Sequence, residues 1–223
     1  FHNSNFMRNR HLINFSQKLW FWFWKNLMNG FAPSDLQGNY RRPKGIKIYS
    51  DYDINNENGQ IYLLVGNSCP WCHRTLLVYQ IKNLFKHINV ILLKANIDHG
   101  EWIFDKKFKG CNSLSELYRK ANKKNIFRPT LPLLIRYEHD EINLLSNESS
   151  QIIEMLNSIN KESTTKLQHI KNCDKDTLDL INSSINDGVY KCGFARNQSS
   201  YEIASKSLFS ALIEIENKLD KNE

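Results

Sequence analysis

Residues 60–86, QIYLLVGNSCPWCHRTLLVYQIKNLFK, most constrain what this chain folds into. A short apolar run at Tyr62–Val65 feeds directly into Cys69-Pro70-Trp71-Cys72-His73 and then into a helical pattern over 71–86, with Leu77, Ile81, Leu84 and Phe85 as its apolar face. A buried strand that turns straight into a helix puts Cys69 at the first turn, where unpaired N–H groups and the helix dipole favour negative charge. Pro70 suits the first helical position, which needs no N–H. A cysteine so placed is expected to ionise readily and attack sulfur at neutral pH. Cys72 follows three residues on, on the same helix face and within disulfide reach. His73 and Arg74 either add positive character there or are ordinary surface residues.

CxxCH is also the attachment signal for c-type haem, but here it follows a buried strand and contains proline. Zinc would need two further ligands at regular spacing, which Cys111, Cys173, Cys192 and the scattered histidines do not offer. A purely structural cysteine pair remains open. Five cysteines with one close pair do not make a disulfide scaffold, and they point to a reducing compartment such as the cytoplasm or an organelle stroma.

The flanking sequence suggests an α/β domain followed by an all-helical one. Further strands are expected at Val90–Leu93, Leu131–Tyr137 and Ile142–Leu145, with helices at Leu114–Ala121 and Glu148–Leu156. The remainder of 96–127 reads as polar and irregular. This β-α-β then β-β-α order is that of a thioredoxin-like domain, placed at residues 46–160. Past a polar linker near Lys161–Thr165, Leu178, Ile181 and Ile185 mark one helix. Ala204, Leu208, Leu212, Ile215 and Leu219 mark another. This helical domain, 161–223, is short, so a C-terminal truncation is expected.

Residues 1–45 form an aromatic and basic extension. Its Leu19-Trp20-Phe21-Trp22-Phe23-Trp24 run, bracketed by Lys18 and Lys25, falls short of the ~20 apolar residues that cross a bilayer. It is either a membrane-surface anchor or an aromatic patch packed on the body. The chain starts at Phe1, so the true start is expected to be missing, and no secretory cleavage site follows the apolar run. The net charge of +7 and pI near 9.1 invite a nucleic-acid reading, but no basic helix or aromatic RNA motif accompanies them.

Two further segments bear on a substrate. In Arg128-Pro129-Thr130-Leu131-Pro132, a proline opens a strand. In a thioredoxin-like domain such a proline is cis and faces the active cysteine, and the residue before it offers its backbone to an extended peptide. Leu131 would take the cysteinyl unit of glutathione in this way. Ser146-Asn147-Glu148-Ser149-Ser150 precedes a helix, whose start binds carboxylates. Ser149 would hold the γ-glutamyl carboxylate and Glu148 the ammonium. Taken singly, these segments also read as a strand-start proline and an ordinary N-cap.

Together the three motifs resemble the xi-class glutathione transferases, the glutathionyl-hydroquinone reductases. The similar stretches are Leu36–Lys44, Ser68–Arg74, Trp102–Asp105, Cys111–Ala121, Arg128–Leu134, Ser146–Asn157 and Gly188–Ala195. The resemblance implies a thioredoxin-like domain followed by a partial helical transferase domain. It implies Cys69 as nucleophile, with glutathione, the co-substrate, held by Trp102, Arg128, Leu131, Pro132, Glu148 and Ser149. Tyr190 would hydrogen-bond the ring hydroxyl of a bound quinone conjugate, and no metal takes part. A homodimer is implied for the full-length form, with no nucleic-acid partner and no integral membrane segment.

The chain departs from the family at two points. Many members carry alanine where this chain has Cys72, so a dithiol route through Cys69 and Cys72 enters. The family's helical domain also runs past the point where this sequence stops, taking a further substrate-pocket tyrosine with it. The alternative activities are a glutaredoxin-like disulfide reductase and a dehydroascorbate reductase. A non-enzymatic glutathione-fold module is the third reading.

Overall fold

The structure, a computed structural model, describes residues 13–24, 26, 30, 32–43, 45, 59–121, 128–159 and 174–220. The expected linker at Lys161–Thr165 and Cys173 lie outside the described residues. Two compact units emerge. One is Lys44–Gln168; the other combines Phe1–Pro43 with His169–Glu223.

The first unit is built on a six-stranded mixed sheet of order β4-β3-β2-β1-β5-β6. Its strands are β1 (Gln60–Gly66), β2 (Ile88–Asn96), β3 (Glu101–Phe108), β4 (Cys111–Ser113), β5 (Leu133–Glu138) and β6 (Glu141–Ser146). β1 is central and buried from Ile61 to Gly66, which is why it reads as an unbroken apolar run. It pairs parallel with β2, Leu63 opposite Val90, and antiparallel with β5, Leu63 opposite Leu134. A parallel pair needs a crossover, supplied by α2 (Pro70–Ile81). Helix α3 (Leu114–Ala121) precedes β5, and α4 (Ser149–Ser158) follows β6. The expected β-α-β, β-β-α frame and the α3 bounds are thus present.

Two expectations fail in this unit. The stretch expected to be irregular contains the β3–β4 hairpin, which extends the sheet beyond β2 through Leu93–Phe104 and Ala95–Trp102 pairs. Its turn is made by Lys109 and Gly110, both at positive φ. The buried face of α2 is also different: Cys72, Thr75, Val78 and Tyr79 point inward, while Leu77, Ile81 and Phe85 are exposed. The helix stops at Lys82, and Asn83 takes a left-handed conformation (φ 52°). Leu84, in the short 3₁₀ turn Leu84–Lys86, reaches the core by that break rather than by helical spacing.

Buried Lys82 ties α2 to α4. Its Nζ donates to the carbonyls of Leu156, Asn157 and Ile159 at 3.2, 2.7 and 2.9 Å. A cation at a helix C-terminus satisfies carbonyls that have no intrahelical donor.

In the second unit, the chain after α5 (Lys175–Leu180) passes through a π-helical turn (Ile181–Asn186) into α6 (Asp187–Gly193) and then α7 (Gln198–Asp220). On α7 the inward positions are Ser200, Ala204 and Ala211, whereas Leu212 and Leu219 of the expected stripe are exposed. The loop 32–43 packs on these helices. Arg42 pairs with Asp187 at 2.8 Å, Arg196 Nη2 donates to the Ala32 carbonyl at 2.8 Å, and Ser200 Oγ donates to that of Gln37 at 2.9 Å. Gly38 sits at φ +89° against Asn197 and Arg196, where a side chain would be strained and would clash. Residues 13–24 form helix α1. Among the described residues no helix is long and apolar enough to cross a membrane.

Replacing Lys82 by methionine removes the donor to the Asn157 and Ile159 carbonyls and leaves that of Leu156 with the Ile159 N–H alone. It is expected to cost about 1–3 kcal/mol in urea unfolding, and Lys82→Arg is expected to recover part of that loss. Cys72 and Cys111 set an alkaline limit. Contact with Cys69 and burial push the Cys72 thiol up, and burial does the same to Cys111. The unfolded chain therefore releases these protons first. Stability is full below about pH 8.5 and falls as pH rises beyond it. Urea midpoints across that range check the sign, and Cys111→Ala is expected to flatten the slope.

Candidate active site

The thiol turn is laid down by the end of β1. Gly66 accepts a hydrogen bond from the Cys69 N–H at 3.2 Å, and its own N–H donates to Cys72 Sγ at 3.4 Å. Cys69 is the N-cap of α2, with extended backbone (φ −100°, ψ 110°) and Pro70 following it. Its Sγ accepts the Cys72 N–H at 3.4 Å, so the sulfur takes the place of a side-chain oxygen cap. Its carbonyl accepts from the N–H groups of Cys72 and His73. Cys69 is half-buried, whereas Cys72 is sealed from solvent. Cys72 is held as a protonated thiol, first by its hydrogen bond with Cys69 and then by burial. The two cysteines are therefore unequal, one accessible and one interior.

Pairing of Leu64 with Leu133 brings the segment before β5 alongside this turn. The Leu131–Pro132 bond is cis, and the Cys69 thiol donates to the Leu131 carbonyl at 3.6 Å. Trp102, half-buried on β3, lies with its ring against Gly66. A Cβ at residue 66 would fall inside the ring's van der Waals envelope, so glycine is what lets the indole lie there. Arg128 is exposed at the start of the segment, and the Arg74 guanidinium lies 5.9 Å over the Trp71 ring.

At the start of α4, Ser146 Oγ accepts the Glu148 N–H at 3.1 Å and bonds Gln151 at 3.0 Å, fixing the entry of the chain. Glu148 is the N-cap residue but makes no side-chain cap. Ser149 is 2% exposed, and its Oγ has no hydrogen-bond partner among the described residues. An unsatisfied buried hydroxyl beside the first, unpaired N–H groups of a ten-residue helix suits a carboxylate.

Sequence reasoning missed what joins these two segments. Asn147 Nδ2 donates to Thr130 Oγ1 at 3.0 Å and to the Tyr118 hydroxyl at 3.1 Å, and Tyr118 donates to the Thr130 carbonyl at 3.1 Å. The turn before α4 and the segment before Pro132 are thus fastened through one tyrosine of α3. Tyr118 reads in the sequence only as one more apolar-face aromatic. Tyr190 belongs to the other unit. There its ring stacks with Tyr40 at 6.4 Å and with Phe194 at 6.3 Å, and Arg42 lies 5.8 Å over it. Among the described residues no group of three or more His, Cys, Asp or Glu gathers as metal ligands would.

Removing the Tyr118 hydroxyl tests this fastening. Tyr118→Phe is expected to lose about 1–2 kcal/mol in urea unfolding.

Residues 68–159 match the family described as glutathione S-transferase, N-terminal domain. The glutathionyl-hydroquinone reductase PcpF of Sphingobium chlorophenolicum is 31% identical over 185 residues, 78% of this chain and 58% of that protein. The glutathionyl-hydroquinone reductase YqjG of Escherichia coli is 30% identical over 179 residues, 74% of this chain and 54% of that protein. The glutathione-bound structure of YqjG aligns with a TM-score of 0.62 over 74% of this chain and 57% of that chain. The xi glutathione transferase of Phanerochaete chrysosporium aligns with a TM-score of 0.67 at 27% identity, over 79% of this chain and 66% of that one. The chain spans less than two thirds of the length of either curated relative. Residues 68–159, which begin at the CPWC turn, are thus similar to the glutathione S-transferase N-terminal domain, and the chain is similar to the xi-class glutathione transferases and to the glutathionyl-hydroquinone reductases.

Proposed function

We propose that this protein is a glutathione-dependent oxidoreductase that releases hydroquinones from their glutathionyl conjugates through a Cys69–glutathione mixed disulfide. One observation carries the reading. A solvent-reachable sulfur at a helix N-terminus hydrogen-bonds the carbonyl that precedes a cis proline, and the same unit holds an unpartnered, buried Ser149 hydroxyl at a second helix start. Related proteins named as glutathionyl-hydroquinone reductases, and the glutathione-bound YqjG structure, support it.

In this reading the cysteinyl N–H of glutathione takes over the Leu131 carbonyl, displacing the Cys69 S–H that now donates to it. The freed sulfur ionises under the influence of the first turn of α2. The γ-glutamyl carboxylate meets the Ser149 N–H and hydroxyl, its ammonium meets Glu148, and Trp102, Arg128 and Pro132 line the peptide. The Cys69 thiolate attacks the glutathionyl sulfur. An S–S bond forms, the sulfur–carbon bond breaks, and its electron pair passes to the ring carbon, which takes up a proton. A hydrogen bond from Tyr190 to the ring oxygen rests on the resemblance alone. A second glutathione thiolate then attacks the mixed disulfide, giving oxidised glutathione and restoring the Cys69 thiolate. The scheme requires a reducing compartment, and a homodimer rests on the resemblance alone.

Cys72 favours a second reading, a dithiol disulfide reductase. Its interior position and retained proton suit a thiol that attacks only after Cys69 has been modified. The two readings separate by experiment. Cys69→Ser is expected to lose at least about a thousandfold in kcat on a glutathionyl-hydroquinone, as removal of a covalent nucleophile does; unchanged turnover would end the proposal. Cys72→Ser is expected to keep that activity, and its complete loss would make the dithiol route obligatory. Faster turnover of a glutathione mixed disulfide than of the conjugate would favour the second reading.

A further inference from the structure

Helix α1, residues 13–24, displays its aromatic residues rather than packing them. Phe15 is 65% exposed, and Trp20, Phe21, Trp22 and Phe23 are 68, 62, 62 and 56% exposed. Among the described residues the body does not cover these rings, apart from Trp24. Four consecutive residues at ~100° each sweep most of the helix circumference, so the rings point to all sides. Phe and Trp rings each cover roughly 150–250 Å². Five of them exposed to this degree present on the order of 600 Å², the upper end for the largest apolar patch on a monomer.

The helix is attached at Trp24. The Arg196 guanidinium lies 5.3 Å over the Trp24 ring, and Phe21 stacks on Trp24 at 6.2 Å. Charge is concentrated in the same part of the chain. The first 45 residues contain seven basic residues and one acid, Asp35, and so carry +6 of the formal +7.

We propose that α1 is a membrane-surface anchor, seating its tryptophan and phenylalanine rings in the headgroup layer of an anionic membrane. Rings on every side of a helix suit a fluid layer that closes around them, whereas a rigid groove covers one side. Trp and Phe prefer the membrane–water boundary, and Lys18 with the surrounding positive charge selects anionic headgroups. Among the described residues no helix is long and apolar enough to cross a membrane, and Lys18 and Lys25 bracket the aromatic run, so the helix is placed on the membrane rather than across it. The inference does not depend on the reaction proposed above.

The test is flotation of the full chain with vesicles of phosphatidylcholine alone and of an equimolar phosphatidylcholine–phosphatidylserine mixture. Binding is expected to the mixed vesicles and to weaken as salt is raised. W20S/W22S is expected to reduce partitioning at least ~10-fold and Lys18→Gln about fivefold. These positions are solvent-facing, and circular dichroism checks that the variants fold. Quenching of tryptophan emission by brominated phosphatidylcholine in the mixed vesicles reads the same event without a variant. Absence of both flotation and quenching overturns the proposal, as does undiminished binding by W20S/W22S. Self-association of the wild type that W20S/W22S abolishes, without vesicle binding, would assign the surface to a second copy instead.

Discussion

One sulfur at the first turn of α2 organises the thiol unit. Cys69 Sγ caps the helix by accepting the Cys72 N–H and reaches the Leu131 carbonyl through its own proton. The helix start, the interior cysteine and the segment before Pro132 therefore meet on one atom. Its position is set by β1, the central strand, whose last residue holds the turn through both its N–H and its carbonyl. Gly66 also makes room for Trp102, so one small residue at a strand end serves the thiol turn and the indole beside it.

The rest of the unit keeps the second helix start in register with that sulfur. Lys82 draws the end of α2 to the end of α4 through three carbonyls, and Asn147 and Tyr118 fasten the start of α4 to Thr130. Both ties use buried polar groups that are satisfied only in the assembled fold. Such groups hold geometry tightly because any other arrangement strands donors or acceptors away from water. The Ser149 hydroxyl has no partner among the described residues, and a ligand oxygen would satisfy it.

Signals that sit within a few residues of one another were legible in the sequence. The strand-to-helix turn at Cys69, the extent of α3 and the start of α4 were readable, since each rests on local chemistry, whereas the cis proline after Leu131 was expected only from the likeness to a thioredoxin-like domain. The β3–β4 hairpin was hidden because Asp105-Lys106-Lys107 interrupts the alternation of Trp102 and Phe104, and its pairing with β2 is long-range. The α2 face was misread because the helix ends at Lys82. Its inward positions also include Cys72 and Thr75, which a search for large apolar residues passes over. The Tyr118–Asn147–Thr130 fastening had no sequence signal, since its three members are drawn from separate elements. The packing of loop 32–43 on α6 and α7 likewise depends on partners more than 140 residues away.

The account stands on Cys69 being the thiol that exchanges with glutathione, and mass spectrometry tests this most directly. A Cys72→Ser protein, with the internal disulfide removed as a competitor, is incubated with oxidised glutathione, trapped in acid and mapped by peptide. A single glutathione adduct on the peptide containing Cys69 is the predicted result. An unmodified Cys69, with the adduct on Cys111, Cys173 or Cys192 or nowhere, would contradict it.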